Sequence, residues 1–139
     1  MRNCRPDIVI ARCKFILKER VFAIATVGTF VMHPGICPEY RNAHGCFWAL
    51  AQRDVNKVGM TLLRVDPGVD TGPIFGYFSY DFDEKRESHL VIGQRCVSEN
   101  FDRIAAKLKD VAAGKAQHIP VDGRDSETRT GTCWRQRYY

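Results

Sequence analysis

No hydrophobic run in this sequence approaches the ~20 residues that a membrane-spanning helix needs. Met1 to Asp7 is polar and no long apolar stretch follows it, so a secretory signal pattern is missing and a cytoplasmic location is expected. Internal repeats and low-complexity tracts are absent too, which excludes solenoid and fibrous architectures. A concentrated basic stripe is also lacking. Of the net charge of +5, residues 1–20 hold six basic and two acidic groups, and residues 124–139 hold four and two. The middle of the chain is almost balanced. Solvated ends account for this better than a nucleic-acid face, so tRNA as a partner draws no support from charge.

Cysteine is not scarce: Cys4, Cys13, Cys37, Cys46, Cys96 and Cys133 are present. With no secretion signal and a core-forming pattern, reduced thiols are expected rather than disulfides. The 139 residues suffice for one modest core, and 45% hydrophobic with 27% charged residues is ordinary for a globular domain.

The order of elements reads as alternating strand and helix. Ile8 to Ala11 (IVIA) and Val27 to His33 (VGTFVMH) are β-branched or aromatic runs that predict buried strands. Between them RCKFILKERVF suggests a short helix with Phe15, Ile16 and Phe22 inward. Pro34 to Ala43 is rich in turn formers. AHGCFWALAQR predicts a helix that packs Phe47, Trp48 and Leu50, and VGMTLLRV a third strand. DPGVDTGP, Asp66 to Pro73, predicts a turn-rich loop, followed by a fourth strand in IFGYFSYDF. Leu90, Val97, Phe101, Ile104, Leu108 and Val111 recur at helical steps, with Ser88 as N-cap and Gly114 as C-cap. The expected architecture is α/β, with a largely parallel sheet over residues 1–116 and an irregular tail, 117–139, packed on it.

In such sheets ligands collect beyond the carboxyl ends of the strands. His33 ends one strand and Asp70 lies in the loop after the next, so both are expected on one sheet edge. A histidine exchanges a proton near neutral pH, and a carboxylate beside it fixes its tautomer and stabilises its cation. An alternative grouping of His33, Cys37, His44 and Cys46 matches no usual zinc spacing, and no metal is expected. The tail CWRQRYY, Cys133 to Tyr139, mixes aromatics with arginines and offers stacking to nucleotides; docking of Trp134 on the core is the plainer reading. Asp81, Asp83, Glu84 and Glu87 read as a solvated acidic approach to a helix.

A longer pattern is present. HPGICPEYRNAHGCFWAL…VGMTLLRVDPGVDTGPIF resembles the formyltransferase family. This family includes methionyl-tRNA, glycinamide ribonucleotide and sugar-nucleotide N-formyltransferases. Its pattern Gly-x-x-Asn-x-His-Pro, then Pro-x-Tyr-Arg, Gly-x-Thr and Asp-x-Gly-x-Asp-Thr-Gly-Pro is met in order. Gly28, His33, Pro34, Pro38, Tyr40, Arg41, Gly59, Thr61, Asp66, Gly68, Asp70, Thr71, Gly72 and Pro73 supply the matches. The resemblance implies the C-terminal half of a Rossmann-like catalytic domain. It also implies transfer of a formyl group from 10-formyltetrahydrofolate, as co-substrate, to a small-molecule amine. It assigns His33 and Asp70 to catalysis, and Asp66, Gly68, Val69, Thr71 and Gly72 to the folate pocket. Tyr40 and Arg41 fall to substrate binding.

Two departures from the pattern shape the expectation. The family asparagine falls on Val31, which has no amide to offer a developing oxyanion. The upstream half of the family domain, which commonly holds the acceptor, has no counterpart in these residues. Its absence would leave Ile8 to Ala11 as an apolar sheet edge, for which pairing in a homodimer is the expected cover. Two alternatives follow: a non-catalytic folate- or partner-binding pseudoenzyme, and a formyltetrahydrofolate hydrolase that uses water in place of the amine.

Overall fold

A computed structural model describes residues 4–12 and 15–125. Four strands form one sheet in sequence order: β1 (Ile8–Ala11), β2 (Gly28–Pro34), β3 (Met60–Arg64) and β4 (Ile74–Phe78). The helices are α1 (Glu19–Phe22), α2 (Gly45–Ala51), α3 (His89–Glu99) and α4 (Phe101–Ala112), with a 3-10 turn at Val55–Lys57.

The sheet is mixed, which corrects the expected largely parallel one. β1 and β2 run parallel, whereas β2–β3 and β3–β4 are antiparallel. Strand direction is set by connections rather than by strand hydropathy. The nine residues 65–73 between β3 and β4 are too few for a crossover, so β4 must turn back along β3.

Alternation along β2 separates two layers. Phe30 and Met32 face the helices. There Phe30, Leu62, Phe78, Ile104 and Val111 form one buried cluster. Tyr40, Cys46, Ala49, Met60, Ile92 and Cys96 belong to a second, which carries α2 and α3. Val31 and His33 face the opposite side, where Cys37, Leu63 and Ile74 are buried and Val31, Tyr77, Ile119 and Val121 pack against them. Among the described residues loops cover most of this second face, with α1 reaching it where the Thr29 hydroxyl donates to the Phe22 carbonyl, and it holds the site.

Other expectations need revision. The helix after β1 is confined to Glu19–Phe22, and Phe15 and Ile16 are 85% and 74% exposed instead of inward. The long C-terminal helix is two helices, α3 and α4, that meet at Asn100. Buried Asn100 donates its side-chain amide to the carbonyls of Cys96 and Ser79, both at 2.9 Å, and so competes with helix continuation. Leu90 and Phe101, placed on the inward stripe by their spacing, lie in the first turns of α3 and α4 and are mostly exposed. Ser88 does cap α3, accepting from the Val91 N–H at 3.3 Å, and Gly114 follows α4 at φ +69°. Residues 117–125 pack on the sheet; Cys133, Trp134 and the rest of the CWRQRYY motif lie outside the described residues. No described helix is long and apolar enough to cross a membrane.

Candidate active site

His33 lies near the end of β2, in register with Thr61 on β3, which is in register with Tyr77 on β4. The three side chains make a polar row across the loop-covered face. Thr61 straps the loop that follows β2. Its hydroxyl donates to the Gly35 carbonyl at 2.6 Å and accepts from the Cys37 N–H at 3.0 Å. The Gly35 N–H adds a bond to the Gly59 carbonyl at 2.8 Å. The Gly59-x-Thr61 signature is therefore a fastening for residues 35–37.

That fastened loop turns back toward His33. Nε2 of His33 is 2.8 Å from the carbonyl oxygen of Tyr40. A carbonyl only accepts, so Nε2 carries a proton and donates it. Gly35 makes this approach possible: its φ is +136°, and a Cβ there would sit 2.7 Å from the same Tyr40 oxygen. On the other side of the ring, Nδ1 stands 3.3 Å from Oδ2 of Asp70. The imidazole, 6% exposed, thus has an oxygen atom beside each of its nitrogens.

Asp70 arrives by a route that the sequence-level expectation does not contain. Because β3 is antiparallel to β2, the β3–β4 loop leaves from beside Phe30, not from the His33 end. The loop folds back over the sheet face to reach His33. Asp66 organises this return: its carboxylate accepts from the Gly68 N–H at 3.0 Å and from the Thr71 hydroxyl at 2.8 Å. Gly72 is buried where any Cβ would run into the Arg64 carbonyl oxygen. Asp70 itself has φ +52°, a left-handed conformation that aspartate tolerates better than most residues. Its Oδ2 also accepts from the Asn42 N–H at 3.0 Å.

The structure thus brings His33 and Asp70 together. Pro67, Gly68, Val69 and Thr71 are exposed on the projecting part of the loop, while Asp66 is committed to internal bonds. Tyr40 corrects an expectation. Its side chain is buried and donates to Asp54 at 3.1 Å, so the ring does not present itself to a substrate. Its contribution is the backbone carbonyl. Neighbouring Arg41 is half-buried. Sequence reasoning had no means of finding the Tyr40 carbonyl or the Asn42 N–H, since backbone groups leave no residue-type signal. The one available hint is Asn42, at φ +69°, a residue type that favours such turns.

Cys37, beside the pair, is fully buried, and burial with the nearby Asp70 charge pushes its thiol up to about 12. It is not a nucleophile in this state. Cys46 donates to the Gly59 carbonyl at 3.1 Å. Among the described residues, no group of three or more His, Cys, Asp or Glu is placed to hold a metal ion.

The formyl transferase family model matches residues 1–100, which include all of this site. The chain belongs to the formyl transferase family. Methionyl-tRNA formyltransferase of Synechocystis is 26% identical over 121 residues, covering 86% of this chain and 36% of the relative. Human mitochondrial 10-formyltetrahydrofolate dehydrogenase is 30% identical over 93 residues, covering 67% of the chain and 10% of the relative. The fold is shared with a formyltransferase from Anoxybacillus kamchatkensis solved with a formamido sugar nucleotide and tetrahydrofolate. That match has TM-score 0.70 and 17% identity, and it covers 98% of this chain and 70% of the other. This formyl transferase chain therefore spans about a third or less of the curated relatives named above. The residues it shares with the family pattern include the two that meet at the site.

Proposed function

We propose that this chain carries the formyl-handling site of a folate-dependent transferase, with His33 and Asp70 as the working pair. The 3.3 Å contact between His33 Nδ1 and Asp70 Oδ2, on an imidazole fixed through Nε2, is the observation that supports this reading most. In the reaction, an amine nitrogen attacks the formyl carbon of 10-formyltetrahydrofolate. A new C–N bond forms, the bond to N10 breaks, and one proton passes from the amine to N10. His33 is fixed through Nε2, so its exchangeable side is Nδ1, toward Asp70. Asp70 is the more exposed of the two and links the imidazole to the reacting groups. The loop Asp66–Gly72, with Gly68, Val69 and Thr71 outward, is assigned to the pterin side. Arg41 remains assigned to the acceptor side. The acceptor is a small-molecule amine.

One observation favours a second reading, a folate binder that does not transfer. Val31 shares the face of His33 and packs on Cys37, Leu63 and Ile74, where the family pattern has an amide. Loss of one oxyanion donor costs ~10²–10³ in rate. Incubation with 10-formyltetrahydrofolate separates the readings. Amine-dependent release of tetrahydrofolate supports transfer, and amine-independent release supports hydrolysis. Binding without release supports the non-transferring protein, while no binding rejects all three.

The outer edge of β1 belongs to the same proposal. Ile10 is 61% exposed on a strand that, among the described residues, pairs only with β2. An apolar edge of this kind is a template for strand addition, and a second copy of the chain supplies a matching one. Sedimentation at micromolar concentration tests this, with a dimer expected and a persistent monomer contradicting it.

A further inference from the structure

The chain returns to the sheet after α4. Ile119 forms an antiparallel bridge with Ile74 on the outer side of β4, with its N–H 2.7 Å from the Ile74 carbonyl. Ile119 and Val121 then pack over Cys37, Leu63 and Ile74. Just beyond them Arg124 reaches the loop that follows β2.

Four of its five guanidinium N–H groups are engaged there. Nε donates to Oε1 of Glu39 at 2.8 Å and Nη2 to Oε2 at 2.7 Å, a bidentate fork. Nη2 also donates to the Cys37 carbonyl at 3.1 Å, and Nη1 to the Tyr77 hydroxyl at 2.9 Å. Tyr77 in turn donates to the Cys37 carbonyl at 2.7 Å. Lys57 adds a third bond to Glu39, at 2.9 Å. Glu39 is only 13% exposed, so this cluster is unlike the solvated surface pairs that contribute little. Burial alone would raise the Glu39 carboxyl, but the Arg124 and Lys57 bonds hold it down at about 2.

The position of Glu39 gives the cluster its meaning. The next residue is Tyr40, whose carbonyl fixes Nε2 of His33. A short step further is Asn42, whose N–H fixes Oδ2 of Asp70. Both supports of the working pair therefore come from one loop. That loop is fastened on one side by Thr61 and on the other by Glu39 and Arg124.

We propose that Glu39 and Arg124 are positioning residues for the His33–Asp70 pair, and that the segment from Ile119 to Arg124 is the clasp that sets the loop carrying both supports. The proposal takes His33 and Asp70 as the working pair, but its test needs no turnover. Replacing Arg124 with Met removes the fork and leaves the apolar packing of Ile119 and Val121. With the clasp open, the Asn42 amide exchanges with solvent about tenfold faster, and the His33 Nε2–H resonance moves or broadens. Arg124→Lys keeps the charge without the fork, and it restores part of both signals. Arg95→Met serves as the control, since it removes the pairs with Glu87 and Glu99, which involve no residue of this loop, and leaves both signals in place. A folded Arg124→Met protein with wild-type His33 and Asn42 signals overturns the proposal. If that variant does not fold, Glu39→Gln is read in the same way. Wild-type turnover distinguishes the two levels. Shifted signals without any turnover sustain the clasp and reject the proposed function, whereas turnover with unmoved signals rejects the clasp.

Discussion

Nδ1 of His33 stands 3.3 Å from Oδ2 of Asp70, although the loop that carries Asp70 leaves β3 beside Phe30 and not beside His33. The contact exists because Asp66 and Gly72 fold that loop back over the sheet. Asp70→Asn keeps the size of the side chain and removes its charge. Formyl turnover is expected to fall by ~10²–10⁴, the range for loss of a general acid–base contribution, with little change in the folate concentration at half-maximal rate. Steady-state kinetics check this, and His33→Ala should lose at least as much.

Val31 leads to the opposite experiment. Val31→Asn restores the amide that the family pattern carries at this position. A gain in turnover of up to ~10²–10³ is expected if the amide reaches the oxyanion. The same change places an amide against Leu63 and Ile74, so a stability cost of about 1–3 kcal/mol should accompany it, read by denaturant titration. A stability loss with no kinetic gain would mean that Val31 does not face the reacting carbon.

Glu39 makes stability depend on pH in a stated direction. Its folded carboxyl is held at about 2 against an ordinary 4.5, so the folded state binds that proton less readily than the unfolded chain does. The associated stability is fully present above pH about 4.5 and is lost as pH falls from there toward about 2. Melting temperatures measured through this window should drop less steeply in Arg124→Met than in the wild type.

Thiol reactivity should divide sharply. Burial raises the thiols of Cys37, to about 12, of Cys96, to about 11, and of Cys46, whereas Cys4 is exposed. At pH 8 an alkylating reagent is expected to label Cys4 in the folded protein and to spare Cys37, Cys46 and Cys96 until denaturant is added. Peptide mapping by mass spectrometry reads this directly.

Much of the architecture was legible where residue type and local geometry agree. Val27 to His33 reads as a strand because its β-branched and aromatic residues suit a half-buried pleat, and β2 covers most of it. Ser88 reads as a cap because a short hydroxyl suits that position, and its hydroxyl accepts the Val91 N–H. Three features were not legible for physical reasons. Sheet direction depends on connections, which hydropathy does not encode. The break at Asn100 involves the Ser79 carbonyl, twenty-one residues away, which helical spacing does not encode. Within the site, His33 and Asp70 could be found from residue type and motif order. Their supports at Tyr40 and Asn42 are backbone atoms, and the Glu39–Arg124 fork joins residues 85 positions apart.

Under the proposed function, the face around His33 and the Asp66–Gly72 loop receives a folate. The most direct measurement is a titration of the ¹⁵N-labelled chain with tetrahydrofolate, followed through backbone amide and histidine resonances. Saturable shifts concentrated at Gly68, Val69, Asp70, Thr71 and His33 are expected. No saturable shift, or shifts confined to the α3–α4 side of the sheet, would rule out folate binding at this face.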